Sequence, residues 1–536
     1  AHDSQNENIF RYAAGGFRDF TRIASSDAIM WRDIMLANKS AVINAIDLFS
    51  DNLTRLKQAV EQEDVTDITG IFTRAKSARD RFTRMLAHQS YSAAMQNNEE
   101  AMITYRVAPG GSVSGSIRVP GDKSISHRSI MLGALAEGVT HIEGFLEGED
   151  ALATLQTFRD LGVVIEGPDD GCVTVNGVGL HGLEASSGPL YLGNSGTSMR
   201  LLSGLLAGQR FDSELTGDVS LSKRPMNRVA NPLREMGAKI DTAEEGRPPI
   251  KIHGGQPLKA IDYALPMASA QVKSCVLLAG LYADGETRVT EPAPTRDHTE
   301  RMLKGFGYEV LREGNTISLR SGGKLTACDI DIPADISSAT FFMVAAAIAP
   351  GSDITLTHVG INPTRIGVIN ILRLMGADLS VENEREVGGE PVADIRVKYA
   401  PLKGIEIPED QVPLAIDEFP ALFVAAACAE GMTTLRGAEE LRVKETDRIQ
   451  AMADGLTALG IRCEPQPDGI VIYGGELGSG TVESHHDHRI AMSFTIAALR
   501  AKGEIVVNNC ANVATSFPNF TDLAKQVGIS LEVIGS

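Results

Sequence analysis

Residues 419–438 read FPALFVAAACAEGMTTLRGA, and residues 456–464 read LTALGIRCE. In the first stretch an apolar helical run reaches Gly431 and then alternates into a short strand. In the second, a helix stops at Gly460 and the chain re-enters a strand. Glycine at such a stop suits the left-handed residue that satisfies the last helical carbonyls. Both stretches recur. The first has counterparts in AEGVTHIEG, LAGQRFDSELTG, ADGETRVTEP, APGSDITLTHV and AKGEIVVNN, with their glycines at Gly138, Gly208, Gly285, Gly351 and Gly503. The second has counterparts in FRDLGVVIEG, LREMGAKID, LKGFGYEVL, LRLMGADLSV and AKQVGISLEV, at Gly162, Gly237, Gly307, Gly376 and Gly528. The chain beyond residue 120 is thus six units of helix–strand–helix–strand, each roughly 70 residues, too long a period for the common solenoids. Helices such as FFMVAAAIA are apolar nearly all round and belong inside. The reading is two globular α/β domains of three units each, with Gly-rich hinges that permit closure over a ligand.

The 536 residues are 43% hydrophobic and 22% charged, enough to bury sizeable cores and too apolar for disorder. Lys plus Arg number 50 against 69 Asp plus Glu, a net charge of −19. That disfavours nucleic acid and anionic membranes as partners. Any anionic ligand needs a local basic cluster. Six cysteines lie far apart with no CxxC, which excludes a dense disulfide scaffold and suits a reducing, cytoplasmic compartment. No apolar run approaches the ~20 residues that span a bilayer. The start, AHDSQNENIF, carries no signal-peptide pattern and no Met, so the chain is expected to be a piece of something longer.

The first hundred residues differ. Met35, Val42, Ile46, Phe49, Leu53, Leu56 and Val60 form a heptad-like seam, which predicts a helical bundle over 1–87 with a face for a partner helix. Residues 88–103 read as a linker. The runs AAGGFRDFTRIASSD (13–27) and MWRDIMLAN (30–38) resemble the C-terminal helical domain of prephenate dehydrogenases. That resemblance implies a homodimer through these helices and places Arg22 on prephenate's carboxylate. The strand, GxGxxG and helix that such a dehydrogenase needs for its nicotinamide are not in the sequence, so no dehydrogenase activity is expected of this chain.

Polar chemistry concentrates where the first helix of each unit begins: GDKSISHR (121–128), GNSGTSMR (193–200), SAQVKS (269–274), DISSAT (335–340), IDEFP (416–420) and HHDHR (485–489). Helix N-termini offer unpaired N–H groups and partial positive charge. N-capping alone explains Ser, Thr and Asp there, but not Lys123, Arg128, Arg200, Lys273 and Arg489. Six termini facing one cleft predict an anion site. LSKRPM adds Arg224, TRDH adds Arg296, and ELRVKETDR adds Lys444 and Arg448, four apart and read as one helix face beside Glu445. A Walker loop is lacking, and no metal is expected at HHDHR.

Eight motifs in order, PGDKSISHR, LGNSGTSMRLL, GDVSLSKRPM, SAQVKS, IDEFP, LRVKETDR, HDHRIAM and ATSFPNF, make residues 104–536 resemble the 5-enolpyruvylshikimate-3-phosphate (EPSP) synthases, the 3-phosphoshikimate 1-carboxyvinyltransferases. The resemblance implies an α/β fold of two inside-out domains, 122–332 and 104–121 with 333–536, after an all-α N-terminal domain. It implies transfer of the enolpyruvyl group of phosphoenolpyruvate to the 5-hydroxyl of shikimate 3-phosphate, without metal or organic cofactor. By motif, Lys123, Ser124, Arg128, Ser269, Gln271, Arg296, Asp417 and Lys444 would meet shikimate 3-phosphate. Lys123, Gly196, Arg224, Gln271, Glu445, Arg448 and Arg489 would meet phosphoenolpyruvate, and glyphosate as inhibitor would compete there. Asp417 is the candidate base at the hydroxyl, Glu445 the acid/base at the methylene, and Lys123 shares the proton traffic. Two positions depart from the common pattern: Ala270 stands where many members have a second Ser, and Thr515 where many have Lys. The sister enzymes that use a UDP-sugar and a non-catalytic anion-binding scaffold are the alternatives. LRVKETDR and GDKSISHR favour the shikimate branch over the first, and the retained carboxylates argue against the second.

Overall fold

The computed structural model describes residues 39, 54, 57–59, 61–62 and 103–535. The chain divides into two units, residues 1–100 and 101–536. In the first, residues 54, 57–59 and 61 are helical, and Lys57 pairs with Glu61 at 3.7 Å, one turn on. The seam from Met35 to Val60, Arg22 and the linker up to residue 102 lie outside the described residues.

In the second unit the helices are α1 (Lys123–Leu135), α2 (Glu149–Asp160), α3 (Gly196–Ala207), α4 (Asn227–Glu235), α5 (Ala270–Gly280) and α6 (His298–Gly305). They continue as α7 (Ile336–Ile348), α8 (Gly367–Leu374), α9 (Phe419–Ala427), α10 (Arg448–Ala458), α11 (His488–Ala497) and α12 (Phe520–Val527). The odd-numbered helices α1, α3, α5, α7, α9 and α11 open the repeats, and the even-numbered ones lead to the second glycine. Every residue of α7 and of α9 is buried, as expected of runs apolar on all faces. Helices α3 and α5 pack together in one group, and α7, α9 and α11 in another. Sheets surround them.

The described strands form six sheets. Four share one order. Residues 325–326, 136–143, 172–178 and 164–169 illustrate it: an edge strand, the strand after the first helix, a returning strand, and the strand after the second helix. The first pair is parallel and the other two antiparallel. A fifth sheet, built on residues 432–435, keeps the last three strands and replaces the edge strand by two parallel bridges, Lys403 to Glu430 and Glu406 to Thr434. In the sixth the returning strand comes from the other end of the chain: Thr104–Val107 lies antiparallel between Ile505–Asn508 and Leu531–Ile534. Ser114–Ile117 then becomes the parallel edge of the sheet that follows α7. The polypeptide therefore closes on itself.

Buried apolar residues form two clusters. One holds Ile125 to Ile332; the other holds Tyr105 to Val119 together with Ala334 to Leu531. The chain crosses between them at two adjacent strands. The Asp122 amide donates to the Pro333 carbonyl at 2.8 Å and the Asp335 amide to the Pro120 carbonyl at 2.9 Å. Gly121 is required there, because a Cβ would lie 1.9 Å from the Gly144 carbonyl oxygen.

The second glycine of every repeat follows its helix with positive φ, from 79° at Gly307 to 117° at Gly528. The first series is mixed, which corrects the reading of all twelve as helix stops. Gly208 has φ −87°, and Gly503 is not left-handed. Their reason is space: a Cβ would fall 2.2 Å from the Tyr282 ring and 2.7 Å from Ser479 Cβ. Gly138, with φ 109°, lies inside the strand Ala136–Glu143 rather than past a helix end. No described helix is long and apolar enough to cross a membrane.

Candidate active site

Each repeat-opening helix begins within its polar motif. Asp122, Ser195, Ser269, Asp335 and Asp487 are N-caps whose side chains accept from the backbone amide of the second or third residue of α1, α3, α5, α7 and α11. Glu418 caps α9 without a side-chain bond to its own helix. Lys123, Gly196 and Ala270 directly follow their caps, and Arg489 is the second residue of α11.

Asp417 is the electrostatic centre on one side. Its carboxylate pairs with Arg296 and lies 3.4 Å from Lys444 Nζ and 3.5 Å from Arg448 Nη1. Arg489 donates to its backbone carbonyl at 3.1 Å. Burial opposes its ionisation, but Lys444, Arg296, Arg489 and Arg448 outweigh burial and hold the carboxyl well below the usual carboxylate range. Glu445, one-third exposed, accepts from Arg448 Nη2 at 2.6 Å. Burial is again outweighed, here by Arg448 foremost with Arg224 and Lys444, so its carboxyl is also held well below the usual range. Burial and neighbouring Arg489 push the His488 imidazole down, leaving it neutral. Arg448 is 1% exposed and also binds Asp487 at 2.8 Å, so it serves three carboxylates.

Lys444 and Arg448 do not share a helix face. The helix begins only at Arg448, capped by Asp447, and Lys444 is extended at ψ −154°. The cap at Asp447 interrupts the helical period, and tertiary packing brings both cations to Asp417.

Across from them, Lys123 pairs with buried Asp150. Arg128 is buried and donates to Thr299 Oγ1 at 2.7 Å, Ser274 Oγ at 3.1 Å and the Ser124 carbonyl at 2.9 Å. Burial pushes it down to about 10, so it stays charged at neutral pH. Gln271 bridges two neighbours: its amide donates to Thr197 Oγ1 at 3.0 Å and its oxygen accepts from Arg200 Nη1 at 2.5 Å. Arg224 donates to Asn194 Oδ1 at 2.6 Å. A Cβ built on Gly196 would sit 2.9 Å from Arg200 Nη1 and 3.2 Å from Arg224 Nη1. Two guanidinium groups therefore converge on the open face of Gly196. Burial and the Arg224 charge push Arg200 down to about 10. Neither has a carboxylate ion pair among the described residues. This is unspent positive charge at a helix N-terminus, where an anion is most stabilised.

Lys273, read from sequence as a cleft cation, is not one. It is fully buried between Glu291 and Glu300, each 2.7 Å from Nζ. It stands in the first turn of α5, but its side chain turns into the core to meet carboxylates brought by α6 and the segment before it. Arg296, Asp417, Lys444, Glu445, Arg448 and Arg489 are joined through the contacts above, whereas Gln271 meets Thr197 and Arg200 and Ser269 bonds its own helix. Sequence reasoning named Arg200 in its motif but gave it no ligand, and missed Asp150, Asp487 and His488. The i+4 spacing of Arg200 from Gly196 was the available signal. In HHDHR, Asp487 holds Arg448 through the contact above.

Two buried helix groups sheathed by six sheets, with cations gathered near the starts of the repeat-opening helices, are the α/β enolpyruvyl transferase fold. The enolpyruvyl transferase NikO from Streptomyces tendae shares that fold at a TM-score of 0.66, with 17% identity, over 81% of this chain and 100% of its own. The family model described as EPSP synthase (3-phosphoshikimate 1-carboxyvinyltransferase) matches residues 107–523, and the chain belongs to that family. The 3-phosphoshikimate 1-carboxyvinyltransferase of Methylococcus capsulatus is 68% identical over 431 residues, covering 80% of this chain and 99% of the relative. That of Alkalilimnicola ehrlichii is 68% identical over 428 residues, covering 80% and 96%. The EPSP synthase structure from Acinetobacter baumannii superposes at a TM-score of 0.75 with 64% identity, covering 81% of this chain and 100% of its own. Residues 1–74 match the model for the prephenate dehydrogenase dimerization domain, so the chain is a fusion of the two.

Proposed function

We infer that this cleft transfers the enolpyruvyl group of phosphoenolpyruvate to the 5-hydroxyl of shikimate 3-phosphate, releasing phosphate, and that the residues named above divide the work. The observation that carries the assignment of roles is the pair Arg200 and Arg224, converging on Gly196 without carboxylate partners. Phosphoenolpyruvate belongs there, with Lys123, Gln271, Arg448 and Arg489 around it. Shikimate 3-phosphate lies against Ser124, Arg128, Ser269, Gln271 and Lys444, with Arg296 on its phosphate. The Ser269 oxygen accepts from the Val272 amide at 3.3 Å, leaving its hydroxyl hydrogen for a phosphate oxygen.

Asp417 is ionised and so able to take the proton of the 5-hydroxyl. Glu445 must be protonated to deliver a proton to the methylene carbon, and Arg448 opposes this in the free protein. Anionic substrates arriving among Arg224, Arg448 and Lys444 cancel that charge and raise the Glu445 pKa. Protonation at the methylene makes C2 electrophilic, the 5-oxygen adds to give a tetrahedral ketal, and loss of phosphate with return of the proton regenerates the double bond. Lys123 offers charge to the phosphate and shares the proton traffic. Metal and organic cofactors have no role in this scheme.

In this reading the catalytic part has two inside-out domains, 122–332 and 104–121 with 333–536. Residues 1–87 form an all-α dimerisation module, Arg22 keeps the prephenate-carboxylate position of its family, and the protein is a cytoplasmic homodimer inhibited by glyphosate. Phosphate release from phosphoenolpyruvate that requires shikimate 3-phosphate tests the activity; release supported equally by a UDP-sugar, or by neither acceptor, refutes it.

A further inference from the structure

Arg365 lies in NPTRIG, a motif with no part in the assignments above. Its side chain is 4% exposed, and its guanidinium gathers four acceptors. Nη1 meets Asp122 Oδ2 at 2.9 Å; Nη2 meets Ser337 Oγ at 2.6 Å and Asp335 Oδ1 at 3.2 Å. Glu418 Oε1 lies 3.7 Å away and takes the Ser337 hydroxyl. Three of these groups are N-caps, of α1, α7 and α9.

Two of these caps border residues assigned to the site. Asp122 precedes Lys123 and Ser124, and Glu418 follows Asp417. Asp122 and Asp335 are also the residues at which the two crossing strands exchange backbone hydrogen bonds. One guanidinium therefore spans the crossing and touches the residues adjoining the two reacting groups, Lys123 on one side and Asp417 on the other. Its planar fork suits this, since it reaches several acceptors in fixed directions, as an ammonium cannot.

We propose that Arg365 is a positioning residue for enolpyruvyl transfer, setting Lys123 against Asp417 by tying their helix caps together across the crossing strands. It does not touch substrate. The proposal rests on the assignment of Asp417 and Lys123 as reacting groups, so Asp417→Asn is measured beside it.

The test compares Arg365→Gln, Arg365→Lys and Glu418→Gln with the unmodified full chain, using phosphate release with phosphoenolpyruvate and shikimate 3-phosphate each varied. Misplacing reacting groups by about 1 Å costs up to about 100-fold. Arg365→Gln is expected to lower kcat about 10–100-fold while KM for both substrates stays within about threefold. Arg365→Lys is expected to regain the melting temperature but only part of kcat, because charge returns without the fork. Glu418→Gln keeps the side-chain shape, weakens the tie only toward Asp417, and should lower kcat less. A folded Arg365→Gln with kcat within about threefold of the parent overturns the proposal, as does Arg365→Lys with full kcat. Should Arg365→Gln not fold, Arg365→Lys decides: full kcat overturns the proposal, and a lowered kcat at constant KM supports it. A normal rate in Asp417→Asn would instead remove Asp417 from the chemistry and leave the Arg365 measurements to be judged on Lys123 alone.

Discussion

Gly196→Ala places one methyl group where the two unpaired guanidiniums meet. The new Cβ would lie 2.9 Å from Arg200 Nη1 and 3.2 Å from Arg224 Nη1. Ordinary non-bonded contact begins near ~3.5 Å, so Arg200 must retreat by about half an ångström. It is not free to do so cheaply, because the same Nη1 holds the Gln271 oxygen at 2.5 Å. Overpacking of this size costs about 1–3 kcal/mol, equivalent to about 5–150-fold in affinity. The helix itself gains, since Gly196 opens α3 and alanine is favoured over glycine in a helix by about 0.5–1 kcal/mol. That gain offsets only part of the overpacking cost, so the melting temperature should fall slightly. Glyphosate is one bond longer than phosphoenolpyruvate between phosphorus and carboxyl carbon, so it has less slack when the cations shift. The assay is phosphate release at saturating shikimate 3-phosphate and fixed phosphoenolpyruvate, with glyphosate titrated. The inhibition constant should rise by about 5–150-fold, while KM for phosphoenolpyruvate moves far less. Equal shifts in the two constants would refute the steric argument, and no shift in either would remove the anion from Gly196.

Asp417→Asn and Glu445→Gln should each lower kcat by about 10²–10⁴-fold with little change in KM, measured by the same assay. Both carboxyls are depressed in the folded protein, so each contributes stability that is fully present above the ordinary carboxylate value of about 4 and lost as pH falls through the folded value; thermal melts below pH 4 should show a shallower acid-side decline in Asp417→Asn. Lys273→Met leaves Glu291 and Glu300 without their buried cation and should cost about 3–5 kcal/mol in chemical denaturation; a loss under about 1 kcal/mol would refute the buried-pair reading. Deleting residues 1–100 should leave turnover intact and convert a dimer to a monomer in sedimentation; a full chain already monomeric at micromolar concentration contradicts the dimerisation reading.

Capping, glycine stops and helical period were legible in the sequence because they are local. Asp122, Ser195, Ser269 and Asp487 stand one residue before the helices they start, and Gly162 to Gly528 stand just past the helices they end. An apolar run with no polar face, such as 341–349, has to be buried wherever it lies. The repeat and the α/β class follow from that grammar alone, and the motif order carried the family. The pairing of charges did not follow. Lys273 and Arg200 both stand near the starts of repeat-opening helices, yet one is enclosed by Glu291 and Glu300 while the other faces Gly196 beside Arg224. What a cation does depends on which carboxylate the fold brings within about 4 Å, and here those partners are distant in sequence. Arg296 reaches Asp417 from 121 residues away, and Arg365 reaches Asp122 from 243. Local sequence decides where helices begin and which faces are apolar; only the tertiary structure decides which charges are neutralised and which remain to hold an anion.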